Sequence, residues 1–226
     1  MKVDLFFCGD SFTYGSELEG LDANHDRRMK QRFSTLVSED LGMTHFNISK
    51  RGACNDWIVK NAISWFEGGN ECDYAFIQFS HYNRWGWYDQ RGNYANMTQK
   101  SNLDNKDRIM TKKQKASDAY WNYIQSEPNS LDNYWKNKFF LKKYLENKCK
   151  VHFMTLEYVP YGKDEYYKEN FWYKLVKDIE ISEFGSIVDD EFTEKYNNSD
   201  LPGRHPNPTG HKNIADHLLR VIKSQP

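Results

Sequence analysis

Short apolar runs recur along this chain, and each is followed by a segment of helical periodicity; no other feature restricts the fold as much. Lys2 to Cys8 is an apolar run that ends in Gly9-Asp10-Ser11, as a buried first strand feeding a loop would. From Arg27 to Leu41, Phe33, Leu36, Val37 and Leu41 recur at helical spacing and Gly42 supplies a stop. His45 to Ile48 reads as a second strand. Asn55 to Phe66 then sets Ile58, Ala62, Trp65 and Phe66 on one helical face, ahead of Gly68-Gly69. Tyr74 to Phe79 reads as a third strand, Asp132 to Asn147 as a helix, and Val151 to Leu156 as a fourth strand. Last comes an apolar stripe of Ile214, Ala215, Leu218, Leu219 and Ile222 behind Pro208, a residue suited to a first helical turn. Strands alternating with helices predict an α/β fold with a parallel sheet covered on both faces.

The 226 residues show no break in composition, which predicts one domain over 1–226. The segment from Tyr82 to Leu131 exceeds a plain connection, so it is expected to be an insertion at about 82–131, with a helix of its own such as Ala116 to Ile124. Lys+Arg 31 against Asp+Glu 32 leaves a net charge of -1, without the field that holds a nucleic-acid backbone or an anionic membrane. The first apolar run is too short for a secretory leader and no later one approaches a membrane span, so a cytoplasmic protein is expected. Cys8, Cys54, Cys72 and Cys149 are scattered without a C-x-x-C pair, in keeping with reduced thiols that pack as small hydrophobes. Aromatic residues make up 16% of a chain whose mean hydropathy is -0.89, so much of its apolar mass is Tyr, Trp and Phe interleaved with polar residues. That mixture suits a core, and equally a surface that stacks on sugars.

A serine hydroxyl is a poor nucleophile at neutral pH until an imidazole takes its proton. Ser11 follows the first strand, and His205 sits just before the last helix, in Arg204-His205-Pro206-Asn207-Pro208-Thr209-Gly210-His211. With Gly52 after the second strand, these residues fall at the carboxyl rim where open parallel sheets bind ligands. Asp10 is expected to bond loop amides behind the serine, and His211 to lie on the helix surface or behind the site. Cys54 leads into an amphipathic helix and reads as inert rather than nucleophilic. His211 follows His205 at a spacing of six residues, with no Cys/His cluster beside them, so no metal is expected. Arg84, Trp85, Trp87, Tyr88 and Tyr94 suit either the packing of the insertion or a substrate platform in which Arg84 pairs with an anionic or polar group. The run Lys112-Lys113-Gln114-Lys115 reads as a solvated face.

Three blocks resemble the SGNH hydrolases of the GDSL type: Gly9-Asp10-Ser11, Asn47-Ile48-Ser49-Lys50-Arg51-Gly52-Ala53-Cys54-Asn55, and His205-Pro206-Asn207-Pro208-Thr209-Gly210-His211. The resemblance implies a flavodoxin-like three-layer α/β/α sandwich and ester hydrolysis through an acyl-enzyme, without a cofactor. Ser11 would attack the carbonyl, His205 would act as its base, and backbone amides near Ser11 and at Gly52 would face the oxyanion. Asn83 is the candidate for the family's side-chain donor, although Ser80-His81-Tyr82-Asn83-Arg84 departs from the usual third block and His81 or Tyr82 are alternatives. Pro202 stands where the family carries the aspartate that orients the base; Asp200, Asp189, Asp190 or a backbone carbonyl would take that role. The expected partner is a small-molecule or glycan ester. A carbohydrate O-acyltransferase and a catalytically weak glycan-binding protein of the same fold are the alternatives.

Overall fold

Strand β1 (Lys2–Cys8) occupies the interior of a five-stranded sheet in a computed structural model that describes residues 1–16, 18, 24–88, 94–97, 115, 119–120, 126–155, 169–179, 181–183 and 205–224. On one side it pairs with β2 (His45–Asn47), on the other with β3 (Glu71–Phe79). β3 pairs in turn with β6 (Lys150–Thr155), and β6 with β7 (Ile181–Glu183). All four pairings are parallel, in the order β2-β1-β3-β6-β7. Counted within the sheet this is the 2-1-3-4-5 order of flavodoxin-like folds, which puts a topological switch point at β1 and β3.

Because β1 is covered on both faces, it can be apolar throughout. Phe6 and Cys8 enter one core with Ala75, Ile77, Phe79 and Phe153, roofed by α4 (Asn55–Glu67) and α5 (Glu127–Leu145). Leu5, Phe7 and Phe76 enter the other, roofed by α3 (Phe33–Leu41) and the last helix, α7 (Pro208–Ser224). Stacked rings knit both layers: Phe6 on Trp65 at 4.3 Å between centroids, Phe7 on Phe76 at 5.0 Å. Each such buried side chain contributes roughly 1.5–3 kcal/mol. The fold is therefore α/β with helices on both sides of a parallel sheet, as expected.

Several local features differ from the sequence reading. The helix expected from Arg27 to Leu41 is two, α2 (His25–Gln31) and α3, broken where Arg32 turns extended at φ -70°, ψ 143°. No glycine or proline marks that break. β7 carries a single apolar residue, Ile181, and gave no periodic signal. α5 starts at Glu127 rather than near Asp132, because Ser126 caps it by accepting the Asn129 N–H at 3.3 Å and Pro128 fits the first turn. Within the expected insertion, β4 (Trp85–Tyr88) and β5 (Tyr94–Met97) form an antiparallel hairpin that the sequence reading lacked. Of the helix expected from Ala116 to Ile124, Ala119 and Tyr120 are helical and the other residues lie outside the described ones, as do Leu156 and most of the lysine-rich run. No described helix is long and apolar enough to cross a membrane.

Candidate active site

Three loops meet at the carboxyl edge of the sheet, and buried polar side chains hold them to one another. Immediately after β1, Asp10 caps the short helix α1 (Ser11–Tyr14), accepting the Phe12 N–H at 3.0 Å. Gln78, buried near the end of β3, accepts from the Asp10 N–H at 3.2 Å, the Thr13 N–H at 3.4 Å and the Thr13 hydroxyl at 2.8 Å. Gly9 makes this approach possible, since a Cβ there would lie 2.5 Å from Thr13 Oγ1 and 2.8 Å from Gln78 Oε1. Ser11 is thus the first residue of a helix, and no described residue accepts its N–H.

The second loop is bound to the first by main chain and side chain. Ile48 N–H donates to Phe7 C=O and Lys50 N–H to Gly9 C=O, each at 3.1 Å. Asn47 Nδ2 donates to Thr13 C=O at 3.0 Å and to Ser34 Oγ at 2.9 Å. Gly52 follows with φ 69°, a left-handed conformation that strains any residue with a Cβ. From β5 the hairpin reaches this turn through Tyr94, whose hydroxyl donates to Gly52 C=O at 3.3 Å and accepts the Cys54 N–H at 2.9 Å. Its ring lies over Gly86, where a Cβ would come within 2.4 Å of the phenol oxygen.

Asn55 locks the second loop to the third: its Oδ1 accepts the Ser80 N–H at 2.8 Å while its Nδ2 donates to Ser80 C=O at 3.1 Å. Arg84 joins all three, with Nη1 donating to Asp10 Oδ2 at 3.0 Å and to Ala53 C=O at 3.3 Å. Asn83 lies beside it, half-buried, with its backbone N–H on His81 Nδ1 at 3.2 Å and its side chain also against the His81 imidazole. Burial, and next the Arg84 charge, hold the His81 imidazole below its usual range, although the Asn83 contact acts the other way.

His205 reaches the same edge from the other end of the chain. Its ring sits 5.0 Å from that of Phe12, the residue after Ser11. Asn207 fixes the segment by accepting the Gly210 N–H on its side chain at 2.9 Å and the His211 N–H on its carbonyl at 2.9 Å. His211 is buried, not on the helix surface: Nδ1 accepts the Phe33 N–H at 3.2 Å and the ring stacks on Phe33. Burial, with lesser effects of His205 and Arg32, pushes its pKa down to about 3, so it is a neutral structural histidine.

The structure thus brings Ser11, Gly52, Asn83 and His205 to one edge and gives Arg84 to Asp10 and Ala53. Trp85 is stacked on Tyr120 at 3.9 Å, and Tyr94 is spent on the Gly52 turn. Tyr14, one turn beyond Ser11, lies under the guanidinium of Arg28 at 4.0 Å and near that of Arg51 at 5.2 Å. Asp189, Asp190, Asp200, Pro202 and the side chains of Trp87 and Tyr88 lie outside the described residues. Among the described residues, no group of three His, Cys, Asp or Glu side chains could hold a metal ion. Sequence reading missed Gln78 and Asn55. The signal for Gln78 was a lone polar residue in the apolar run Phe76-Ile77-Gln78-Phe79.

No family model matches the sequence, and no curated protein matches it. Solved structures do match its fold. A lipolytic protein of the G-D-S-L family from Desulfitobacterium hafniense superposes with a TM-score of 0.53 at 11% identity, covering 97% of this chain and 98% of its own. The psychrotrophic esterase EstA from Pseudoalteromonas sp. gives 0.52 at 14% identity, over 97% of this chain and 96% of its own. A carbohydrate esterase family 2 enzyme with a carbohydrate binding domain, from Corynascus thermopiles, gives 0.55 at 12% identity, over 98% of this chain and 65% of its own. The chain has the fold of these proteins.

Proposed function

We propose that this chain is an SGNH-type serine ester hydrolase acting on a small or carbohydrate-linked acyl ester. One observation carries the reading: Ser11 opens a helix with its N–H bonded to no described residue, one residue from the ring against which His205 lies. In the reaction Ser11 Oγ attacks the ester carbonyl as His205 takes its proton. The carbonyl oxygen becomes an oxyanion facing the Ser11 N–H, the Gly52 N–H and the Asn83 side-chain amide. Each donor of this kind accounts for about 10²–10³ in rate. His205 then returns the proton to the leaving alcohol, and water resolves the acyl-enzyme by the reverse path. Arg84 positions the site without touching substrate, since its contact with Asp10 steadies the cap of the helix that carries Ser11.

The likeness to a carbohydrate esterase supports a sugar on the alcohol side. Purified protein is expected to release p-nitrophenol from p-nitrophenyl acetate, and acetate from an acetylated saccharide. Ser11→Ala should lower kcat by at least about 10³-fold with an unchanged circular dichroism spectrum. Undiminished turnover in that variant would remove the proposal.

A further inference from the structure

At the amino edge of the sheet, opposite Ser11, two cysteines that the sequence separates widely come together. Cys72 is the second residue of β3 and Cys149 directly precedes the adjacent β6; the parallel register Tyr74↔Lys150, continued by one residue, puts Cys149 opposite Asp73, the chain neighbour of Cys72. Each thiol is the strongest influence on the other's titration, both are reduced, and Cys149 packs against the core beneath α4 and α5 that contains Cys72. A strand spacing of about 4.8 Å combined with a one-residue offset of about 3.3 Å gives a Cα separation of about 5.8 Å, inside the roughly 4.4–6.8 Å that a disulfide spans. A recess of about 450 Å³ opens here, lined by Cys72 with Lys2, Phe66, Asn70, Glu71 and Lys148.

We propose that Cys72 and Cys149 form a thiol–disulfide exchange site that closes reversibly into a disulfide with a small-molecule disulfide as oxidant. The two thiols are unequal. Cys149 is partly exposed, and its pKa is lowered, first by the hydrogen bond from Cys72 and also by the Ala75 backbone and the ammonium groups of Lys142 and Lys148. Cys72 is buried, and that same bond together with burial pushes its pKa up. Cys149 is therefore the attacking thiolate and Cys72 the resolving thiol. Cys149 sulfur attacks one sulfur of the oxidant, whose S–S bond breaks and whose other half leaves as a thiolate. Cys72 then gives its proton to that thiolate and attacks the Cys149 sulfur, expelling the second half as a thiolate that takes a proton from water. Two protein thiols are oxidised and one disulfide is reduced to two thiols. Cys8, whose thiol contacts Ile58 C=O at 3.6 Å, and Cys54 are buried and raised in pKa by burial, so neither competes.

Incubating the folded full-length chain with oxidised glutathione, then trapping with acid and alkylating, tests this by intact mass and peptide mapping. The expected wild-type product has lost two hydrogens, carries one Cys72–Cys149 bridge, and keeps Cys8 and Cys54 alkylatable. Cys72→Ser should stop at a glutathione adduct on Cys149, and Cys149→Ser should react at least about tenfold more slowly. Four alkylatable thiols after incubation, a lasting glutathione adduct on wild-type Cys149, or a bridge to Cys8 or Cys54 would overturn the assignment. The wild-type result decides the matter even if a variant folds poorly, and it is independent of esterase activity.

Discussion

Two ion pairs stand at opposite ends of the same sheet and differ in nearly everything but chemistry. At the amino end Lys2 and Asp73 are 4.0 Å apart with side chains 69% and 55% exposed. At the carboxyl end Arg84 and Asp10 are 3.0 Å apart with side chains 14% and 1% exposed. Water screens the first pair, so its attraction barely outweighs the entropy of ordering two long side chains. The second is desolvated and survives because each partner is bonded again, Asp10 to the Phe12 N–H and Arg84 to Ala53 C=O. The polar contacts at the amino end are exposed, like those between Asp4 and Thr44. At the carboxyl end a buried polar network of Asp10, Gln78, Asn55 and Arg84 sets three loops in fixed relation, which is what a reaction requiring several donors at one point demands.

That contrast gives the largest expected effect. Arg84→Met leaves the Asp10 carboxylate buried without its partner and should cost about 3–5 kcal/mol at neutral pH, whereas Lys2→Met should cost no more than about 0.5 kcal/mol. Urea denaturation of both variants measures the difference; equal losses would break the distinction between the two ends. A smaller effect belongs to the buried histidine behind the site. His211 takes up a proton in the unfolded chain below its usual pKa of about 6.5, but in the folded protein only near 3. Between those values the unfolded state holds the extra proton, so stability is full above about pH 6.5 and falls as the pH drops toward 3. The contribution is about 1.4 kcal/mol per pH unit. His211→Asn keeps an acceptor for the Phe33 N–H and should flatten that slope relative to wild type. Parallel slopes in urea titrations at pH 4 to 7 would show that His211 is not the source.

Elements with dense local signals were legible in the sequence. β1, α4 and α7 lie close to where apolar runs, helical stripes and Pro208 put them, because each pattern fits inside one element. β7 has three residues and too little pattern to stand out, and the break at Arg32 has no breaker residue; beside it the Phe33 N–H donates to His211 Nδ1, far along the sequence. At the candidate site the legible part was the residues near Gly-Asp-Ser and His-Pro-Asn. What joins them was not: Gln78 to Thr13, Asn55 to Ser80 and Arg84 to Asp10 span long stretches of sequence, and pairing at such range leaves no local trace. Arg84 illustrates the consequence, since the sequence left it between packing of the insertion and a substrate contact, and the fold pairs it with the Asp10 carboxylate. The same holds for Cys72 and Cys149, where spacing gave scattered thiols and the pairing of β3 with β6 brings them together.

Covalent labelling decides whether His205 activates Ser11 as a nucleophile. A fluorophosphonate probe should add once per chain, on Ser11, and His205→Ala should slow that addition by at least about 10²-fold in protein that unfolds at the wild-type urea midpoint. Failure to label Ser11, or labelling at the same rate without His205, would contradict that activation.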